Sequence, residues 1–102
     1  MTQLSYSAKA REDLRGILLK IAEDKPGAAV RFVEQLERKA RLLMTFPNAG
    51  EACPHLGNDI HVLIYRYYGI YYRIEINAVR VERVLAPGLD VTDDFFDDSK
   101  EL

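Results

Sequence analysis

Four arginines in the second half of the chain, Arg66, Arg73, Arg80 and Arg83, stand among a run of tyrosines, Tyr65, Tyr67, Tyr68, Tyr71 and Tyr72. Guanidinium groups stabilise charge on a reacting phosphoryl group, and with tyrosines they are the usual anchors of protein interfaces. Cutting RNA asks for more. It needs a base for the 2′-hydroxyl, cations for the charged intermediate and an acid for the leaving oxygen, all in reach of one phosphate. Arginine stays protonated and serves poorly as a base. This half has no lysine before Lys100, and the two histidines of the chain are His55 and His61. His61, Glu75 and Tyr65 can be assembled into a cleavage scheme, but a solvated strand position accounts for His61 as well. Arg73 and Arg80, beside Glu75 and Glu82, are equally readable as cross-strand charge pairs of about 0.2–1 kcal/mol each. Tyr72 shares the isoleucine face and reads as core, whereas Tyr67 and Tyr68 fall where a hairpin tip is expected and burial is difficult.

Other reactive types carry less. The aspartates of Asp93-Asp94-Phe95-Phe96-Asp97-Asp98 lack the glycine turn and terminal glutamate of a calcium loop. They read as a solvated acidic end, with Phe95 and Phe96 able to pack back on the core. Cys53 is alone, so no internal disulfide forms, and no base adjoins it in sequence. No metal or cofactor is expected.

The 102 residues suffice for one domain, which at this size buries roughly two-thirds of its unfolded surface. The 48% apolar and 29% charged fractions are ordinary globular usage. No apolar run approaches the ~20 residues of a membrane span, and residues 1–6 lack a signal-peptide layout. With a lone cysteine, the cytoplasm is the expected compartment and no membrane partner is expected. Charge is uneven. Residues 1–45 carry nine Lys/Arg against six Asp/Glu, and residues 46–102 carry five against ten. With a pI near 5.6 the chain lacks the overall basic footprint of a strong nucleic-acid binder.

The elements that must position these residues follow from periodicity. Residues 2–6 alternate and predict a short strand. Ser7 is placed to cap a helix whose Ala10, Leu14, Ile17, Leu18 and Ile21 form one stripe. Asp24-Lys25-Pro26-Gly27 breaks it, and Pro26 suits the first turn of a second helix. That helix buries Ala29, Phe32, Val33, Leu36, Ala40 and Leu43, and Phe46-Pro47-Asn48-Ala49-Gly50 ends it. Residues 60–66, 70–76 and 79–85 are β-branched and aromatic, joined by a loop around Tyr67-Tyr68-Gly69 and a two-residue Asn77-Ala78 turn. Ile70, Tyr72, Ile74 and Ile76 are expected on the core face, with Tyr71, Arg73 and Glu75 on a partly open face. The expectation is an α+β fold, β-α-α-β-β-β, with a helical hairpin packed on one face of an antiparallel sheet.

Several fragments, in order, resemble the ParE-type toxins of the ParE/RelE toxin–antitoxin superfamily. Tyr6-Ser7-Ala8-Lys9-Ala10-Arg11-Glu12-Asp13-Leu14 is similar to their opening Tyr-Ser-x-x-Ala-x-x-Asp-Leu, and Ile21–Pro26 to their helix break. Phe46–Gly50 resembles their Phe-Pro-x-x-Gly loop, and Leu56-Gly57 their Leu-Gly. Tyr72-Arg73-Ile74 and Arg83-Val84-Leu85 match the third- and fourth-strand signatures, and Asp90 the terminal Asp. The likeness spans about residues 4–90, so 1–90 is taken as the toxin domain and 91–102 as its acidic tail. Two departures stand out: Ile60-His61 replaces a common Leu-Arg, and Ala86-Pro87-Gly88-Leu89-Asp90 replaces His-Gly-Ala-Arg-Asp, leaving fewer basic or imidazole groups near one sheet edge. The resemblance implies a toxin that inhibits DNA gyrase by binding and is neutralised by a cognate antitoxin in a hetero-oligomer, with operator DNA touched only through that complex. RelE-type relatives instead cut mRNA on the ribosome, and a non-toxic antitoxin-binding relative is the third alternative. The residues expected to meet target or antitoxin are Arg66, Tyr67, Tyr68, Tyr71, Arg73, Arg83, Phe95 and Phe96.

Overall fold

Ser7 starts the first helix with its own side chain: Oγ accepts the Ala10 amide at 3.0 Å, satisfying one of the donors a helix start leaves unpaired. The structure is a computed structural model and describes residues 2–96. Strand β1 (Gln3–Tyr6) precedes helices α1 (Ala8–Ala22) and α2 (Pro26–Arg41), then β2 (Glu51–Ala52), β3 (Ile60–Tyr65), β4 (Tyr68–Glu75) and β5 (Ala78–Leu85). Pro26 opens α2, where its missing N–H loses nothing. Ala10 of α1, Leu36 and Ala40 of α2, and Leu43 just beyond it are fully buried against Ile70, Tyr72, Val79, Val81 and Val84 of the sheet. Burying each large aliphatic side chain contributes about 1.5–3 kcal/mol, so this layer holds the hairpin to the sheet. The α+β expectation is borne out.

The sheet differs in detail from the expected antiparallel meander. Its order is β1-β5-β4-β3-β2; β1 runs parallel to β5, and the two-residue β2 extends the other edge. The β3–β4 turn is Arg66-Tyr67 rather than a loop through Gly69, so Tyr68 is a strand residue packed on Phe32 with ring centroids 5.1 Å apart. Gly69 sits inside β4 because a Cβ there would lie 2.6 Å from the Tyr71 ring. The β4–β5 turn is Ile76-Asn77, one residue earlier than expected, which leaves Ile76 93% exposed instead of on the core face. Between Tyr71 and Tyr72 the β5 register slips by one residue, a bulge at Glu82.

Neighbouring residues on a strand face opposite ways, so Tyr71 looks away from the helices that cover Tyr72. On that outer face a second cluster forms from Cys53, Leu56, Ile60 and Phe96, flanked by Val62, Tyr71, Val91 and Phe95. One end of the face expected to be open is therefore closed by the chain's own residues 91–96. Asp93 and Asp94 stay exposed, but Phe96 is only 5% exposed and belongs to the core. The rest of the acidic tail, 97–102, lies outside the described residues.

The Tyr6 hydroxyl is buried with no hydrogen-bond partner among the described residues. Burial, and then the Glu37 carboxylate, pushes its pKa up to about 12. In the unfolded chain it ionises near 10. Between those values the unfolded chain has released a proton that the folded chain keeps, so this group's contribution to stability is intact below about 10 and is lost as pH rises toward about 12. Urea melts at about pH 9 and about pH 11 should show a smaller decline for Tyr6→Phe than for the parent. At neutral pH the variant should be at least as stable, because an unsatisfied buried hydroxyl costs about 1–3 kcal/mol. A clear loss at neutral pH would mean that the hydroxyl has a partner after all.

Candidate functional site

Fragments far apart in sequence meet in pairs. Asp13 of α1 receives Arg83 Nε at 2.8 Å and Nη2 at 2.9 Å, a two-pronged pair, and also accepts the Val84 amide at 2.9 Å. This hydrogen bonding raises the Arg83 pKa further and holds the guanidinium charged. The Ser7 hydroxyl donates to the Glu82 carbonyl at 2.7 Å. Since β1 reaches only Val81, Ser7 and Asp13 finish the edge of β5 with side chains where no strand continues. On the other side of the molecule, Tyr72 Oη donates to the Pro47 carbonyl at 2.7 Å and accepts the Gly50 amide at 3.0 Å, pinning the loop after α2 to the central strand.

Several of the expected binding residues also make contacts within the chain. Arg83 spends its fork on Asp13; its Nη1 also donates to the Phe95 carbonyl at 3.4 Å, and its plane lies over the Phe95 ring at 5.3 Å. Arg73 and Arg80 converge on Glu82, with Nε–carboxylate distances of 3.5 and 3.1 Å. The cross-strand charge pair thus holds for Arg73, with Glu82 rather than Glu75 as its acid, whereas Arg80 meets Glu82 along the same strand, β5. Glu82 is 5% exposed, and a buried carboxylate persists when cations neutralise it. Arg73 further donates to the Phe96 carbonyl at 3.4 Å, and the Tyr71 ring packs on Phe96 with centroids 5.4 Å apart. Tyr71, Arg73, Arg83, Phe95 and Phe96 are therefore brought together, but around each other. They form a strapped-down surface.

Arg66, Tyr67 and Tyr68 lie elsewhere, at the far end of the β3–β4 hairpin. Tyr67 is 81% exposed. Arg66 and Tyr67 both hold left-handed backbone, with φ of 48° and 73°, where asparagine and glycine sit without strain and other residues cost about 1 kcal/mol or more apiece. The Arg66 guanidinium lies 5.8 Å from the Tyr65 ring, which itself packs on Phe32 of α2 at 5.5 Å. The hairpin tip is held against the helices while its two turn residues face solvent.

Sequence reasoning missed the neighbouring strand edge. β2 pairs only with His61 and Val62 of β3, and the Cys53 amide reaches the Ile60 carbonyl at 2.8 Å. Alternate residues direct their backbone groups the same way, so the amide and carbonyl of Ile64 point to that edge beyond the end of β2. The Ile64 side chain is 55% exposed. A strand two residues long leaves no periodic signal, so its early end was not legible.

The groups an RNA-cleaving site would use do not converge. His61 pairs across the sheet with Tyr72 and stacks on its ring at 5.5 Å, whereas Arg83 pairs with Tyr71 on the opposite face. Among the described residues no three or more His, Cys, Asp or Glu side chains are grouped to hold a metal ion. No helix among them is long and apolar enough to cross a membrane.

Residues 4–86 match the model of a family described as the ParE toxin of a type II toxin–antitoxin system, parDE. No curated protein sequence matches the chain. A solved chain of the chromosomal ParDE TA system from P. aeruginosa superposes with a TM-score of 0.74, covering 85% of this chain and 97% of that one at 20% identity. At that identity the likeness is one of fold.

Proposed function

We propose, from the premise that this chain belongs to the ParE toxin family of type II toxin–antitoxin systems, that it acts in the cytoplasm by binding DNA gyrase and is silenced by a cognate antitoxin. The observation that supports binding over turnover is the separation of the reactive groups. His61 stacks on Tyr72 of the central strand, and Arg83 is committed to Asp13 of α1 at the edge of β5. The two side chains stand on different strands, β3 and β5, and pair with different residues of β4. Without a base and a cation at the same atom, general acid–base cleavage has no starting geometry. Of the residues expected to meet a partner, Arg66 and Tyr67 stay exposed, and both are side-chain types that anchor protein contacts.

The antitoxin fits the other free feature. An extended segment that pairs with β3 at Ile64 gains main-chain hydrogen bonds along an edge that β2 leaves unpaired. The toxin–antitoxin hetero-oligomer, rather than the toxin alone, would then carry any contact with operator DNA.

Titrating the purified chain into a gyrase supercoiling reaction tests the reading. A binder gives inhibition whose midpoint scales with the amount of gyrase, and inducing the chain without antitoxin arrests growth with DNA-damage signalling. Transcripts cut at defined sites in the presence of ribosomes, with supercoiling untouched, would replace this reading with the nuclease one. Normal growth on induction would leave only the antitoxin-binding role.

A further inference from the structure

The cationic surplus of the first half is not spread evenly over the helices. On α2, Arg31, Gln35, Arg38, Lys39 and Leu42 recur at helical spacing and make one wall. Tyr65, at the end of β3, makes the facing wall, with Arg66 beyond it. Two adjoining hollows of about 390 and 290 Å³ share Gln35 and Tyr65. Their linings include Arg31, Arg38, Lys39 and Arg66 and no carboxylate. Arg31, Arg38 and Lys39 take part in none of the ion pairs among the described residues. Arg31 and Arg38 lie two helical turns apart, about 10 Å along the axis. Asp90, Asp93 and Asp94 sit on the segment that follows β5, whose Phe95 and Phe96 pack with Tyr71 on the outer face of the sheet. A chain of net charge −2 thus presents a groove with no negative group in it.

The groove opens at the Arg66-Tyr67 turn. Its left-handed backbone is strained for these two residue types, and strain that persists at solvent-facing side chains points to a demand on those side chains. Tyr67 stands free of any socket. Arg66 lines the groove and the exposed Tyr67 follows it in the turn, and cations joined to an exposed ring match the stacking-plus-phosphate chemistry of single-stranded nucleic acid. An acidic peptide would use the cations but give the exposed ring nothing to stack on.

We infer that the groove between α2 and the β3–β4 hairpin binds single-stranded nucleic acid, its phosphates along Arg31, Arg38, Lys39 and Arg66 and a base on Tyr67. This goes beyond the gyrase reading and does not rest on it, since it concerns the isolated chain.

The test is fluorescence anisotropy of the purified chain with labelled oligo-dT and oligo-rU of about 12 nucleotides, over about 50–200 mM salt. With four cations contributing about 0.7 each, the plot of log association constant against log salt should fall with a slope near −2.8. Arg38→Glu with Lys39→Glu should flatten that slope to about −1.4 or less and weaken binding. Tyr67→Asn relaxes the turn, so it keeps the fold; it should weaken binding about tenfold at unchanged slope. Equal binding of the two oligonucleotides means recognition by phosphate and stacking alone, and a preference adds contact with the sugar; either supports the inference. No binding at the lowest salt overturns it, as does indifference to both variants. Displacement by oligo-glutamate as readily as by unlabelled oligonucleotide would reassign the groove to an acidic peptide and overturn it too.

Discussion

Replacing Asp13 with alanine should lower stability by about 3 kcal/mol. Asp13 receives both prongs of Arg83 and the Val84 amide, all at 2.8–2.9 Å. Its loss strands a mostly buried guanidinium and an edge amide together, and a donor left buried without a partner costs more than the bond it made. For a domain near 100 residues, 1 kcal/mol shifts the melting midpoint by about 4–8 °C, so the variant should melt roughly 12–24 °C lower. Arg83→Lys keeps the charge but not the fork and should fall between the two. Thermal melts followed by circular dichroism read this directly; a drop of less than about 4 °C would mean that solvent already satisfies both groups. The pair also disarms a tempting experiment. Loss of activity in Arg83→Ala, the expected signature of a nuclease arginine, should be matched by Asp13→Ala, because both release the same contact.

Gly50→Ala should be nearly as costly, about 2–4 kcal/mol. A Cβ at this position would lie 2.5 Å from the Val62 carbonyl oxygen and 2.8 Å from Tyr72 Oη. Neither can yield cheaply. Val62 is held in the β2–β3 pairing, and Tyr72 is fully buried with its hydroxyl bound to Gly50 and Pro47. Tyr72→Phe removes the two hydrogen bonds but keeps the ring, and should cost about 1–2 kcal/mol. The double variant should lose less than the sum, because the two changes share one contact. Urea unfolding of the four proteins closes the cycle. Strict additivity would show that the loop does not depend on Tyr72.

The helices and the three long strands were legible because their burial follows simple periods. Ala10 and Leu36 fall on the stripes read from spacing, and Ile70, Tyr72 and Ile74 alternate as expected. What failed was punctuation. Gly69 pulled the expected turn toward itself, yet it lies in a strand to make room for the Tyr71 ring, and the real turn uses Arg66 and Tyr67, types that do not announce left-handed backbone. Ile76 was assigned to the core because the strand was carried one residue too far. At the surface, Arg66 and Tyr67 are exposed at the hairpin tip that the sequence placed there. Arg83 was read without its partner because Asp13 lies 70 residues away, whereas Phe95 and Phe96 pack back on the core as the sequence allowed. Resemblance marked Asp13 and Arg83 separately as family positions. Only the folded arrangement shows that they bind each other.

The first strand and the last strand are each other's neighbours, so translation makes them at opposite times. β1 and both helices leave the ribosome while β5 is still unwritten, and the nascent hairpin waits with its apolar stripe uncovered. Joining ends 75 residues apart, as Ser7 and Glu82 are, is a slow, non-local closure. A premature stop codon anywhere before Leu85 therefore yields a fragment with no finished sheet. The molecule gains its working surfaces only once β5 has been made.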